Sequence, residues 1–309
     1  MERSKWVDVY KGVAIILVVA GHIFDGPVRD LIFLFHMPLF FFISGYLYKP
    51  KSYFNYFTKK SQSLLTPYFS FLLVFSVLYL LIDGDVNIYA LIYGGRELKG
   101  IYGVFWFVTC LFITQQFYNY FYKNFNPKSL FIIMFFSLCF SYLNSLILSE
   151  YYLPWNLNVV FASLPLFYAG NIYKTRGLDS NYISLLGLSL LVIIFTLLFP
   201  ENIYDMKYSI YGIPFITFFS SLILCLFVLM TSKILSRYKF LNSILSKIGL
   251  ESSSIMYLHI LFYLATDKYI SENSLLCFLL SLSLSYLAAK IISRFRVLKI
   301  YFKGFKSSK

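Results

Sequence analysis

Lys11-Gly12-Val13-Ala14-Ile15-Ile16-Leu17-Val18-Val19-Ala20-Gly21-His22 sets ten consecutive apolar residues between a lysine and a histidine. The mostly apolar run reaches back to Trp6 and forward to Phe24. About 20 such residues, wound as a helix, match the hydrocarbon thickness of a bilayer. The stretch 6–24 therefore reads as a membrane-spanning helix. Eleven helical steps put Lys11 and His22 about 16 Å apart along its axis, one toward each face of the membrane. The short basic start and apolar run also suggest a secretory signal. No small-x-small cleavage site follows and more apolar runs do, so an uncleaved first helix is expected.

The rest of the chain agrees with a membrane setting. Of 309 residues, 59% are hydrophobic and only 13% charged, against about 25% charged in soluble domains. A soluble surface has too little polar cover for such a composition. The 35 Phe and 28 Tyr suit lipid-facing and interfacial positions. A net charge of +13 would suggest nucleic acid in a soluble protein. Here it reads as a topology signal, and no nucleic-acid partner is expected. Cys110, Cys139, Cys225 and Cys277 all sit in apolar runs without metal-ligand spacing and read as small hydrophobes.

Ten spans are expected, over 6–24, 31–48, 63–82, 101–121, 129–148, 155–173, 181–199, 210–230, 252–270 and 274–293. With the N-terminus in the cytoplasm, 22 of the 27 basic residues fall on the cytoplasmic side. Only Arg29, Arg96, Lys99, Lys207 and Lys268 fall opposite, together with most acids, Asp25, Asp30, Asp83 and Asp85 among them. This is the asymmetry of the positive-inside rule, and a missed span would invert every later loop and spoil it. The expectation is an all-α, polytopic protein of the plasma or inner membrane: one bundle of ten helices, a single domain over 1–309, both termini cytoplasmic and a basic tail at 294–309. The Lys- and aromatic-rich segments 51–62 and 233–248 read as interfacial.

Ionisable groups within lipid are costly and mark function by default. All three histidines, His22, His36 and His259, fall inside expected spans. Gly21 leaves room beside His22 for a substrate or a packed helix. His36 enters the second span from the outer side, so it and His22 share a depth on neighbouring antiparallel helices.

These residues carry a resemblance. Asp8-Val9-Tyr10-Lys11-Gly12 running to Gly21-His22, followed by Phe35-His36-Met37-Pro38-Leu39-Phe40-Phe41-Phe42-Ile43-Ser44-Gly45-Tyr46-Leu47, resembles the membrane-bound acyltransferase type 3 family. The similarity is greatest to its fucose O-acetylase-like and exopolysaccharide O-acetyltransferase members. Lys11 and His22 fall on the family's basic-x10-His pattern. Gly103-Val104-Phe105-Trp106-Phe107 resembles its Gly-x-x-Trp-Phe element, and Gly249 to His259, with Ser252 and Tyr257, its late helix. Two positions depart from the pattern: Lys11 where arginine is frequent, and Glu251 where a neutral residue is common.

The resemblance implies transfer of an acetyl group from acetyl-CoA to a hydroxyl of a carbohydrate acceptor, a polysaccharide or a lipid-linked sugar. Acetyl-CoA enters as a substrate, with no resident cofactor or metal implied. A sugar hydroxyl attacks well only while a base takes its proton, and an imidazole kept from water stays neutral and able to accept it. His22 is the expected base, and His36 is expected to orient the acceptor or stabilise the oxyanion. Lys11 is expected to meet the phosphates of CoA, with Asp8, one turn earlier, holding it. Trp106, Arg29 and His259 are the expected acceptor contacts. A transporter or flippase for a lipid-linked saccharide is the competing reading, since ten spans with polar groups at depth suit one too. It is weakened by the lack of internal symmetry and of paired broken helices.

Overall fold

The computed structural model describes residues 5–82, 85–148, 150–178 and 180–304. Arg3, Asp83 and the end of the basic tail, 305–309, lie outside the described residues. The fold is all-helical there, apart from one isolated bridge between Asp205 and Ile210. Fifteen α-helices follow in order: α1 (Lys5–Ile23), α2 (Gly26–Phe33), α3 (His36–Tyr46), α4 (Tyr53–Lys60), α5 (Thr66–Ile82), α6 (Ile88–Tyr93), α7 (Trp106–Asn124), α8 (Pro127–Ile147), α9 (Val160–Thr175), α10 (Tyr182–Leu198), α11 (Ile216–Leu235), α12 (Lys239–Leu250), α13 (Ser252–Tyr269), α14 (Ser274–Arg294) and α15 (Arg296–Lys303).

Seven helical stretches among the described residues are long and apolar enough to cross a bilayer, or eight if the bent pair α12–α13 is one span. The 17-residue α10 is apolar but shorter. Large apolar side chains point away from the protein: Leu81 is 78% exposed, Ile183 77% and Phe136 64%. Lipid is the solvent that such a surface needs.

Each expected span coincides with a helix, but three are not the single rods the hydropathy suggests. The span at 31–48 is broken at Leu34–Phe35. Pro38 has no N–H to give the Leu34 carbonyl and its ring collides with that group, so helix restarts at His36. The span expected at 155–173 is regular only from Val160, because Trp155 and Asn156 take left-handed backbone (φ 58° and 55°). The span expected at 210–230 starts at Ile216. Gly212, at φ 59°, Pro214, and Phe215, at φ 62°, hold the chain out of helix until then. Within α9, Pro165 leaves the Phe161 carbonyl without its helical donor. Ser137 of α8 supplies one at 2.8 Å, an interhelical repair of the kind membranes demand.

Close approaches fix the arrangement. Gly12 of α1 lies against the backbone of Leu245, and Gly249 at the end of α12 against the Asp8 carbonyl, so neither has room for a Cβ. Gly45 of α3 and Gly170 of α9 form a second reciprocal pair, against the backbones of Phe167 and Phe42. Small residues serve membrane helix contacts in this way. The expected interfacial segments form α4 and α12, and α12 meets α13 at a 76° bend.

One end of the bundle is covered by interlocked loops. Lys207 donates to the carbonyls of Leu98 (2.6 Å) and Gly103 (3.1 Å), Asn156 donates to that of Lys207 (3.2 Å), and Trp155 donates to that of Ile92 (3.1 Å). We call this the cap. At the opposite end, the base, Glu251 is bound by Lys303 of α15 and by Ser293.

Candidate active site

Four helices, α1, α3, α7 and α13, surround two cavities stacked end to end. The upper one, of about 240 Å³, is lined by Val18, His22, Phe33, His36, Met37, Trp106 and Ile260, and beneath the cap by Arg29, Gly100, Gly103, Asp205, Met206, Lys207 and Tyr208. The lower one, of about 260 Å³, is lined by Lys11, Ser44, Lys60, Gln115, Ser252, Ser253 and Tyr257 among others. Phe40, Phe107 and Met256 line both.

Helix geometry explains why Lys11 and His22 serve this pair of cavities. At about 100° per residue, eleven steps return to within about 20° of the same face. One face of α1 therefore presents Lys11 below and His22 above. On α3, His36, Met37 and Phe40 face the upper cavity, and Phe40, Ile43, Ser44 and Leu47 the lower, the i, i+3, i+4, i+7 stripe of one helix face.

His22 is the centre of an aromatic cluster. Its ring centroid lies 5.2 Å from that of His259, 6.2 Å from that of His36 and 5.8 Å from that of Phe33. Phe33 in turn packs at a tilt against His36 at 4.6 Å and carries the Arg29 guanidinium 4.6 Å from its ring centre. Gly21 leaves space that the Ile32 side chain of α2 fills, so the room beside His22 holds a packed helix on that side and the cavity on another. His36 Nδ1 lies 3.1 Å from the Ile32 carbonyl and His259 Nδ1 3.1 Å from that of Ile255. A carbonyl only accepts, so in each neutral ring Nδ1 carries the hydrogen and Nε2 the lone pair. His36 thus offers an acceptor, suited to orienting a hydroxyl rather than to donating to an oxyanion. His22 makes no hydrogen bond among the described residues and lines the upper cavity.

The structure gathers the expected residues unevenly. His22, His36, Arg29 and Trp106 share the upper cavity, and Lys11 stands in the lower one. His259 is fully buried behind His22 while its neighbours Met256 and Ile260 form cavity wall. Asp8 is buried on the flank of α1 that meets Gly249 of α12. Three of the cysteines are buried and Cys139 is half-buried, all free thiols.

Sequence reading missed the contributions of the α10–α11 connection. Asp205, Lys207 and Tyr208 roof the upper cavity between Arg29 and the 100–103 turn. Burial pushes the Lys207 amine down to about 8, against the opposing pull of Asp205. Burial raises the Asp205 carboxyl, with Arg29 and Lys207 acting the other way. The only sequence signal was their charge in an outer loop. Lys60 was also missed as a second cation of the lower cavity.

The site thus sets an imidazole, His22, in one cavity and an ammonium, Lys11, in an adjoining one, both on a single face of α1. The acyltransferase-domain profile of the membrane-bound acyltransferase type 3 family matches residues 4–294, and the chain belongs to that family. It is a membrane acyltransferase. No curated protein and no solved structure matches it.

Proposed function

We propose that the protein is an O-acetyltransferase of the cell membrane. It moves an acetyl group from cytoplasmic acetyl-CoA to a hydroxyl of a surface or exopolysaccharide sugar, or of its lipid-linked precursor. The observation that carries this reading is the pair of stacked cavities, with Lys11 in one and His22 in the other on a single face of α1.

The donor's phosphates suit the lower cavity. Lys11 and Lys60 supply charge there, and Ser252 and Ser253 open α13, whose N-terminal N–H groups favour anions. The upper cavity suits a sugar. Trp106 offers an apolar face, while Arg29, Asp205 and His36 offer groups for hydroxyls. His22 takes the proton of the acceptor hydroxyl as its oxygen attacks the thioester carbonyl and a C–O bond forms. The tetrahedral intermediate then collapses, the C–S bond breaks, and the CoA thiolate leaves and recovers that proton from His22. Base assistance of this kind contributes about 10²–10⁴-fold.

Ten crossings with both termini cytoplasmic are part of the proposal. Supporting them, residues from the expected outer loops, Arg29, Gly100, Asp205 and Lys207, meet at one cavity, and Lys11 and Lys60 from the expected inner side meet at the other. The test is mass analysis of the host's surface polysaccharide with the wild-type chain and with His22→Ala. Loss of an acetyl-sized increment in the variant is the expected outcome. Intact acetylation with failed glycan export would replace the enzyme by a transporter.

A further inference from the structure

The two cavities adjoin, and three side chains line both. Phe40 comes from α3, Phe107 from α7 and Met256 from α13. The Phe40 and Phe107 rings meet edge-on with centroids 5.8 Å apart, and Phe107 is backed by Phe41 at 5.2 Å. Phe107 is buried, whereas Phe40 and Met256 are half-buried.

Resting on the acyl-transfer reading above, we infer that Phe40, Phe107 and Met256 form a size-selecting partition that sets which acyl group reaches His22. A thioester bound from the Lys11 side must push its acyl end between these side chains. The partition is apolar, so it has no means of recognising the acyl group except bulk. Phe107 is clamped between two rings and forms the fixed jamb. Met256, unbranched and flexible, and Phe40 have space to move and form the yielding side. An acetyl group, with one methyl beyond its carbonyl, needs the smallest displacement. Each further methylene must displace packed atoms, and a single methylene in a close-fitting apolar site is worth about 10-fold or more in selectivity.

The experiment presents membranes holding the full chain, and the host's own surface polysaccharide, with equal acetyl-CoA and butyryl-CoA. The ester composition of the glycan is read by mass. Wild type is expected to favour acetyl at least tenfold. Met256→Ala and Phe40→Ala are expected to cut that preference by tenfold or more, and Met256→Phe to sharpen it. An unchanged ratio in variants that still transfer overturns the inference while leaving the acetyltransferase reading intact. Wild-type membranes that esterify nothing would sink that reading, and a second arm then judges the partition alone. Val18→Cys places a thiol in the upper cavity. In vesicles with the cytoplasmic face outward, a small membrane-impermeant thiosulfonate should label it at least tenfold faster when Met256→Ala is added. Equal labelling rates would show that these side chains close nothing, and the inference would fall.

Discussion

His259 holds its Nδ1–H on the Ile255 carbonyl at 3.1 Å and stands with its ring centre 5.2 Å from that of His22. Ser281 of α14 donates to the His259 carbonyl at 2.7 Å, so the helix beneath it is anchored as well. The buried Nε2 of His259 has no hydrogen-bond partner among the described residues. An unmet acceptor in a dry interior is expensive, and it lies beside the ring that the proposed mechanism uses as its base. In the proposed mechanism His259 would position His22. His22→Ala should lower kcat by about 10²–10⁴-fold. His259→Phe should lower kcat about tenfold with KM for either substrate nearly unchanged, and His259→Gln, which restores a polar acceptor, should recover part of the loss. A fall in KM and kcat together, unrelieved by the amide, would leave His259 a packing residue.

Lys11 carries a separable prediction. Eleven residues below His22, it would serve donor binding in the proposed function, remote from the reacting carbonyl. Lys11→Gln should raise KM for acetyl-CoA about tenfold or more and leave kcat nearly intact. Lys11→Arg should bind at least as well, because the planar fork grips phosphate in two places. Raising salt should weaken donor binding in wild type more than in Lys11→Gln. Steady-state kinetics in membranes at two ionic strengths would decide, and an unchanged KM in Lys11→Gln would remove Lys11 from the donor site.

Much of this architecture is legible in the sequence because the bilayer imposes it. Apolar length places the helices. The spacing of Lys11 and His22 already puts them on one face of α1. Three things escape such reading. The break at Leu34–Phe35 is encoded by Pro38, but hydropathy ignores a missing N–H. The 199–215 connection has no periodicity, so nothing local announces that it folds inward and places Asp205 and Lys207 over His22. The meeting of Phe40, Phe107 and Met256 between the two cavities exists only where three distant helices come together, and each residue alone is an ordinary apolar side chain. Ten hydropathy segments also outnumber the seven long apolar helices, because α9 and α10 are only 16 and 17 residues long and α13 joins α12 at a bend.

Lys207 gives the pH prediction. Burial lowers its amine from the ordinary lysine range to about 8. Its cation is therefore present below about pH 8 and lost as pH rises through that value. Between about pH 8 and the unfolded lysine value the unfolded chain binds more protons, so this group makes the fold more stable as pH rises there. Function should move the other way. If the Lys207 ammonium helps hold the acceptor under the cap, KM for the acceptor should rise between pH 7 and pH 9. Lys207→Gln should show the high KM at both pH values. A wild-type KM flat across that range would confine Lys207 to its bonds with Leu98 and Gly103.

Glu251 departs from the neutral residue common in this family's late helix, and the base of the fold explains it. Its carboxylate is buried at the α12–α13 bend and is bound by Lys303 from α15 and by Ser293 (3.1 and 3.0 Å), with Lys290 at 3.7 Å. Left alone, that negative charge would oppose an anion at neighbouring Ser252; paired, it ties α15 to the Lys11 side of the site. Phe302 of α15 meets Phe71 at 4.8 Å, and Phe71 stacks on Tyr257, a wall of the Lys11 cavity, at 4.4 Å. Removing one partner of a buried pair costs about 3–5 kcal/mol, because the other charge stays buried. Lys303→Ala should therefore lower the melting temperature in detergent by about 5 °C or more and raise KM for acetyl-CoA through loss of the α15 brace. Glu251→Gln with Lys303→Met, which removes both charges, should recover most of the stability. Were the double variant no better than Lys303→Ala, the charge at position 251 would not be what α15 is there to neutralise.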